Sequence, residues 1–171
     1  MAGMKNPIFR DKLADYIKIG KEFEVMKVYN QIDENPSAKT KETHYTSQKT
    51  STKTTIGYAP SFPITGDMYS SERTSEFFRD IGEEQKIGSD CETEYLRVRL
   101  YEPIAGKDNT CYARLFRVAV EITGITGAGG EHMVITGNLN SLDDVVIGEF
   151  NTETKTFTSK ADLGPIITKK N

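Results

Sequence analysis

Two stretches of strict alternation constrain this chain more than anything else in it. In Glu94–Tyr101, Leu96, Val98 and Leu100 fall on one face of an extended strand, and Tyr95, Arg97, Arg99 and Tyr101 on the other. In Tyr112–Ile122, Phe116, Val118, Val120 and Ile122 share a face opposite Arg117 and Glu121. Period-2 patterning of this kind predicts an antiparallel sheet with one face buried. A turn near Gly106 joins the two strands as a hairpin.

The remaining chain reads the same way. Asp15–Ile19 is expected as a short strand ending at Gly20, and Glu24–Asp33 as one strand whose alternation slips once. Thr55–Ile64 carries Pro60 and Pro63, which confine it to an edge or the end of a sheet. Glu131–Leu139, Val145–Phe150 and Lys155–Ser159 complete the set. One helix is expected, about Glu72–Lys86, capped by Ser70 or Ser71, with Phe77, Phe78 and Ile81 as a narrow apolar stripe. Gly82 weakens it and Gly88 ends it. One helix among about eight strands predicts a mainly β fold, a sandwich or barrel with a flanking helix. The 171 residues, 19 of them Thr, suit a single β-rich domain with its own core.

Ser37–Thr55 breaks the pattern. Fourteen of its 19 residues are Ser, Thr or Lys, with four lysines (Lys39, Lys41, Lys49, Lys53) against one acid, Glu42. It has no apolar period, so it is expected as a long loop, irregular in an isolated subunit, because nothing offsets the backbone entropy. Long loops inside a compact domain tend to be functional. Its threonines accept an extended conformation once a partner surface is supplied.

The sequence offers little for chemistry. A net charge of −3 argues against general nucleic-acid binding. The N-terminus has no apolar core of a secretory signal, and no window approaches a membrane span. Cys91 and Cys111 flank the expected hairpin too far apart to bridge within it, so both are expected as free thiols in a reducing compartment. Gly127-Ala128-Gly129-Gly130 lacks the following helix and Lys of a phosphate loop and reads as a hairpin turn. Asp143-Asp144 reads as a solvated pair, and His44 and His132 lack the companions a zinc site needs. There is no Gly-x-Ser-x-Gly elbow, and Arg97 and Arg99 are expected to pair with Glu across the sheet rather than to meet phosphate. The expectation is a protein that is not an enzyme, with no catalytic residue, no cofactor and no metal.

Several motifs then occur in order. Gly57-Tyr58-Ala59-Pro60-Ser61, Asp67-Met68-Tyr69 and Gly88-Ser89-Asp90-Cys91-Glu92-Thr93 bracket the helix within Ile56–Glu102. Gly137–Asn140, Val146–Phe150 and Thr154–Thr158 follow, and Tyr16–Lys21 precedes. Over most of residues 13–160 this resembles the major tail proteins, or tail tube subunits, of long non-contractile-tailed phages of Gram-positive bacteria.

The resemblance implies a single tail tube domain over 1–171, with an N-terminal arm (1–12), an extended loop (37–55) and a C-terminal arm (160–171). It implies a sandwich with a flanking helix, six copies in a ring whose sheets join into one barrel, and rings stacked into a tube. The implied partners are other copies, the tape-measure protein, and adjacent tail terminator and distal tail proteins. DNA would pass through a neutral to negative lumen without specific binding, and no membrane is involved. Glu24–Asp33 and Thr50–Tyr58, which flank the long loop, are the first candidates for lumen-side strands, with Tyr112–Ile122 next. The implied location is the virion, with assembly in the host cytoplasm. Lys39, Lys41, Lys49 and Lys53 are the candidate contacts between rings. A tail terminator or head–tail joining protein of the same fold is the nearest rival; the long loop and C-terminal pattern favour the tube. A ligand-binding β-barrel or adhesin module is the rival of another class, opposed by the absence of Trp and of a secretion signal.

Overall fold

Among the described residues the chain forms eleven strands and one main helix, where about eight strands were expected. The structure, a computed structural model, describes residues 6–163; the outer ends of both expected terminal arms lie outside the described residues. In chain order the strands are β1 (Leu13–Ile19), β2 (Glu22–Val25), β3 (Tyr29–Ile32), β4 (Ala38–Thr43), β5 (Thr52–Tyr58) and β6 (Ser61–Asp67). Helix α1 (Arg73–Glu83) precedes β7 (Glu92–Pro103), β8 (Thr110–Thr126), β9 (Val134–Ser141), β10 (Val146–Asn151) and β11 (Thr156–Ser159). A single-turn helix, α2 (Lys160–Leu163), closes the described chain. The described chain divides into two units: residues 6–27, 93–117 and 143–163, and residues 28–92 and 118–142.

In the first unit the strand order is β2-β1-β7-β8-β10-β11. This sheet curls on itself. Phe23 of β2 meets Phe150 of β10 edge to face at 5.8 Å, and Lys155 reaches Glu24 at 3.5 Å, so strands from the two ends of the order touch. The curl encloses Tyr16, Leu96, Val98, Cys111, Ala113 and Phe150. Gly148 permits the tightest approach: a Cβ there would lie 2.1 Å from the Thr158 carbonyl oxygen and 2.7 Å from the Phe157 ring.

Strand β7 departs from the expectation of one buried face. Tyr95, Leu96, Arg97 and Val98 are all buried, so the strand is covered on both sides at its centre. A charge on the second face is tolerable because a partner is built opposite it. Asp15 and Arg97 are cross-strand neighbours in the β1–β7 register, and Arg97 Nε donates to Asp15 Oδ1 at 2.9 Å. The same oxygen accepts from the Tyr95 hydroxyl, and Arg10 bonds the other oxygen. The side chains of Arg97 and Asp15 are 5% and 1% exposed. Burial, and then the Asp15 charge, push the Tyr95 phenol well above its ordinary range, so it stays a donor. The cross-sheet pairing expected of Arg97 is thus present, with an aspartate; Arg99 instead bonds Glu102 on its own strand at 3.2 Å and stacks over Tyr112.

In the second unit the order is β8-β9-β6-β3, with α1 laid on it. Phe62, Ile64, Phe78, Ile81, Val118, Val120, Ile135 and Leu139 are buried. Tyr29 meets Phe78 edge to face at 5.6 Å, and burial raises its phenol well above the ordinary value. Glu72, rather than Ser70 or Ser71, caps α1: its Oε2 accepts from the Ser75 amide at 2.7 Å and from the Thr74 hydroxyl at 2.6 Å. The helix stops before the expected Gly88. Gln85 takes a left-handed φ of 52°, and the amides of Lys86 and Gln85 return to the carbonyls of Ile81 and Gly82. Gly82 also has a reason to be there, since a Cβ would lie 2.8 Å from Ile122 Cγ2.

Two expected strands are each split. Glu24–Asp33 becomes β2 and β3, because residues 26–28 cross from one unit to the other. Thr55–Ile64 becomes β5 and β6, broken at Ala59-Pro60, where Pro60 supplies no amide. The glycine-rich 127–130 is the expected turn between β8 and β9, with Gly130 at φ 85°.

Asp15→Ala leaves the Arg97 guanidinium buried without its carboxylate and should cost about 3–5 kcal/mol in urea unfolding, as should Arg97→Met. The double variant D15L/R97M should recover most of that loss, because an apolar pair replaces a buried ion pair with little penalty. Gly82→Ala should destabilise by about 1–3 kcal/mol, despite Ala's better helix propensity, because the methyl group overpacks Ile122. Combining it with Ile122→Ala should turn the effect of Gly82→Ala from loss to gain.

Candidate assembly surface

Ser37–Thr55, expected as an irregular loop, is most of a β-hairpin. Strands β4 and β5 pair antiparallel as their own two-stranded sheet, with Thr43 opposite Thr52 and Ala38 opposite Tyr58. Threonine explains the outcome: β-branched side chains restrict the backbone toward extended conformations even without a core beneath them. The tip closes with Gln48 donating to the Tyr45 carbonyl at 3.0 Å and a His44 Nε2 to Gln48 carbonyl bond at 2.8 Å. From residue 38 to 58 every residue is exposed except the half-buried Thr43 and Gly57. The arm is about 20 Å long, and nothing among the described residues covers it.

All four expected lysines lie on this arm, but not on one face. Lys39 and Lys41 share a face with Thr43, Thr52 and Thr54; Lys53 lies on the other, directly opposite Glu42; Lys49 sits in the tip. A bulge between Lys39 and Thr40 leaves Ile56 as the extra residue of β5. Sequence reasoning missed the arm's apolar members: Tyr45, Ile56 and Tyr58 are 58%, 63% and 66% exposed. The signal was present in Ala59-Pro60, which detaches Ile56 and Tyr58 from the buried β6.

Open sheet edges are the second feature. Strands β2 and β11 end the order in the first unit, and β3 ends it in the second. Among the described residues none of these outer edges carries a further strand, and a free edge offers unpaired amides and carbonyls to another chain.

The other candidate residues do not converge. Asp143 pairs with Arg117 at 3.1 Å, both exposed, and exposed His132 pairs with half-buried Asp67 at 2.9 Å. Cys111 is buried, which pushes its thiol up, and Cys91 is half-buried; both are free. Among the described residues no group of three or more His, Cys, Asp or Glu is placed to hold a metal ion, and no helix is long and apolar enough to cross a membrane. A cleft of about 330 Å³ in the first unit is lined by Ile104, Tyr112 and Ile147 together with Glu102 and Glu149. Both carboxylates are already engaged, Glu102 by Arg99 and Glu149 by Lys107.

No protein-family profile matches the sequence, and no curated protein matches it. Solved structures do. The sheath/tube terminator of an extracellular contractile injection system, in its extended state, matches with a TM-score of 0.55 at 10% identity, over 85% of this chain and 99% of that one. The tube-terminating cap of the anti-feeding prophage matches at 0.53 and 13% identity, over 86% of this chain and 94% of that one. The tail of a gene transfer agent particle, refined helically with C6 symmetry, matches at 0.52 and 13% identity, over 90% of this chain and all of that one. The chain therefore has the mainly β fold shared by tube, tube-terminator and tail subunits of phage-like particles.

Proposed function

We propose that this chain is a structural subunit of a phage-type tail, and specifically the tube subunit of a long non-contractile tail. Six copies close into a ring, rings stack, and the resulting tube encloses a tape-measure protein and later conducts DNA. It ends against terminator and distal tail proteins. The observation that carries this reading is the likeness of fold over nearly the entire length of tail and tube-terminator chains. The sequence motifs of Ile56–Glu102 support the non-contractile, Gram-positive assignment within it.

Physical chemistry supports the same role. A subunit with open edges in both units and an uncovered hairpin needs neighbours, and a closed ring satisfies edges that a monomer leaves open. The charge has the right sign for a conduit, since six copies at −3 each carry about −18 and do not hold phosphates in place. The role is structural rather than catalytic, exercised in the virion after assembly in the host cytoplasm.

Concentrated full-length protein should form rings or tubes with a central channel in negative-stain microscopy. A strictly monomeric species at every concentration in sedimentation velocity would overturn the proposal. Single rings that never stack would select the terminator role instead. Deleting Lys39–Lys53 should leave rings but remove stacking; tubes of normal length and salt resistance after that deletion would exclude the hairpin as the contact between rings.

A further inference from the structure

The hairpin has a charge-matched counterpart on the opposite kind of surface in the same unit. Helix α1 ends against its own dipole: Glu83 and Glu84 occupy the last turn and cap, and that turn holds no basic residue. Carboxylates at the negative end of a helix are destabilising, since cations belong there. The chain continues through left-handed Gln85 and places Ile87 at 80% exposure, beyond every other large apolar side chain described. Glu83–Asp90 is exposed at all eight positions. From Arg79 to Glu92 five acids face two bases, a net −3, against +3 for Ser37–Thr55. Misplaced charge, a non-glycine left-handed residue and an exposed isoleucine coincide on one corner, and such local conflicts mark places shaped by something other than the stability of the lone chain.

Both surfaces are exposed in the same copy, so neither covers the other there. We infer that the Lys39/Lys41 face of the hairpin of one copy docks on the Glu83–Asp90 corner of a second copy. The inference rests on the tail reading above and names the surface the hairpin meets. The lysine ammoniums meet Glu83 and Glu84 and relieve the dipole conflict, while Ile56 beside the bulge covers Ile87. The two surfaces differ, so the contact is head-to-tail and propagates instead of closing a dimer. The intramolecular bridges already there, Arg79 to Glu83 at 3.9 Å and Lys86 to Glu84 at 3.1 Å, are solvent-exposed and easily rearranged.

Charge reversal on each side tests this with the full-length chain. The variant E83K/E84K should raise the melting temperature of the subunit, because it corrects the helix end, so any lost assembly cannot be unfolding. It should nevertheless raise the concentration needed for assembly about tenfold or more. The hairpin variant K39E/K41E should do the same, and the four-fold variant carrying both reversals should assemble near the concentration of the unaltered chain. If the unaltered chain assembles and E83K/E84K assembles equally well, or the combined variant gives no recovery, the docking inference is wrong and the tail reading stands. If the unaltered chain never assembles, the tail reading fails and the inference falls with it.

Discussion

The Asp15–Arg97 pair sets the terms for the rest of the first unit. A strand buried on both faces normally reads as a continuous apolar run, yet β7 alternates. Leu96 and Val98 enter the curl with Tyr16 and Phe150, while Tyr95 and Arg97 point the other way and are buried as well. Burying a guanidinium is tolerable only beside a carboxylate that is itself bonded. Asp15 meets that condition three times over, through Arg97, Tyr95 and Arg10. Its backbone is also engaged, accepting from the Met26 amide at 2.9 Å where the chain leaves β2. One neutralised charge thus fixes the β1–β7 register, the exit from β2 and the position of the preceding segment.

Where that pair decides which faces can be buried, glycines decide how close the layers come. Gly148 lets β11 and the Phe157 ring cross β10 within a distance no side chain allows, and Gly82 lets α1 settle on Ile122. Gly137 does the same between β8 and β9, where a Cβ would lie 2.4 Å from the Glu121 carbonyl oxygen. Sequence alone marks such positions only as weak points, as Gly82 shows. A helix scored by propensity loses there, while a helix scored by packing needs nothing larger.

The same division runs through what was legible beforehand. The alternating strands β7 and β8, the strand at Val146–Asn151 and the helix were visible, because period and apolar content report burial directly. The second buried face of β7 was not, because it depends on a partner eighty-two residues away, Asp15. The splitting of Glu24–Asp33 was hidden because both halves are extended and only the change of unit separates them. The four lysines lie on one segment, but their division between two faces depends on a register that no local pattern carries. The acidic corner at Glu83–Asp90 was not legible because the helix stops at Glu83, well before the expected Gly88, and the chain then turns through left-handed Gln85.

The β4–β5 hairpin is weakly stabilised without a partner surface. Ordering two facing residues costs about 1–2 kcal/mol each in backbone entropy, whereas a cross-strand side-chain pair returns about 0.2–1 kcal/mol and a backbone hydrogen bond about 0.5–1.5 kcal/mol. A two-stranded arm without a core is therefore marginal by itself. Adding a surface changes the balance by burying Ile56, Tyr58 and Tyr45 at about 25 cal/mol per Å². Lysines and threonines keep the arm soluble until that surface arrives, and they discourage arms from stacking on one another, since like charges then meet. An arm repelled by its own kind but matched in charge to a different site on the next copy has one favourable way to associate, and that way points along a single direction.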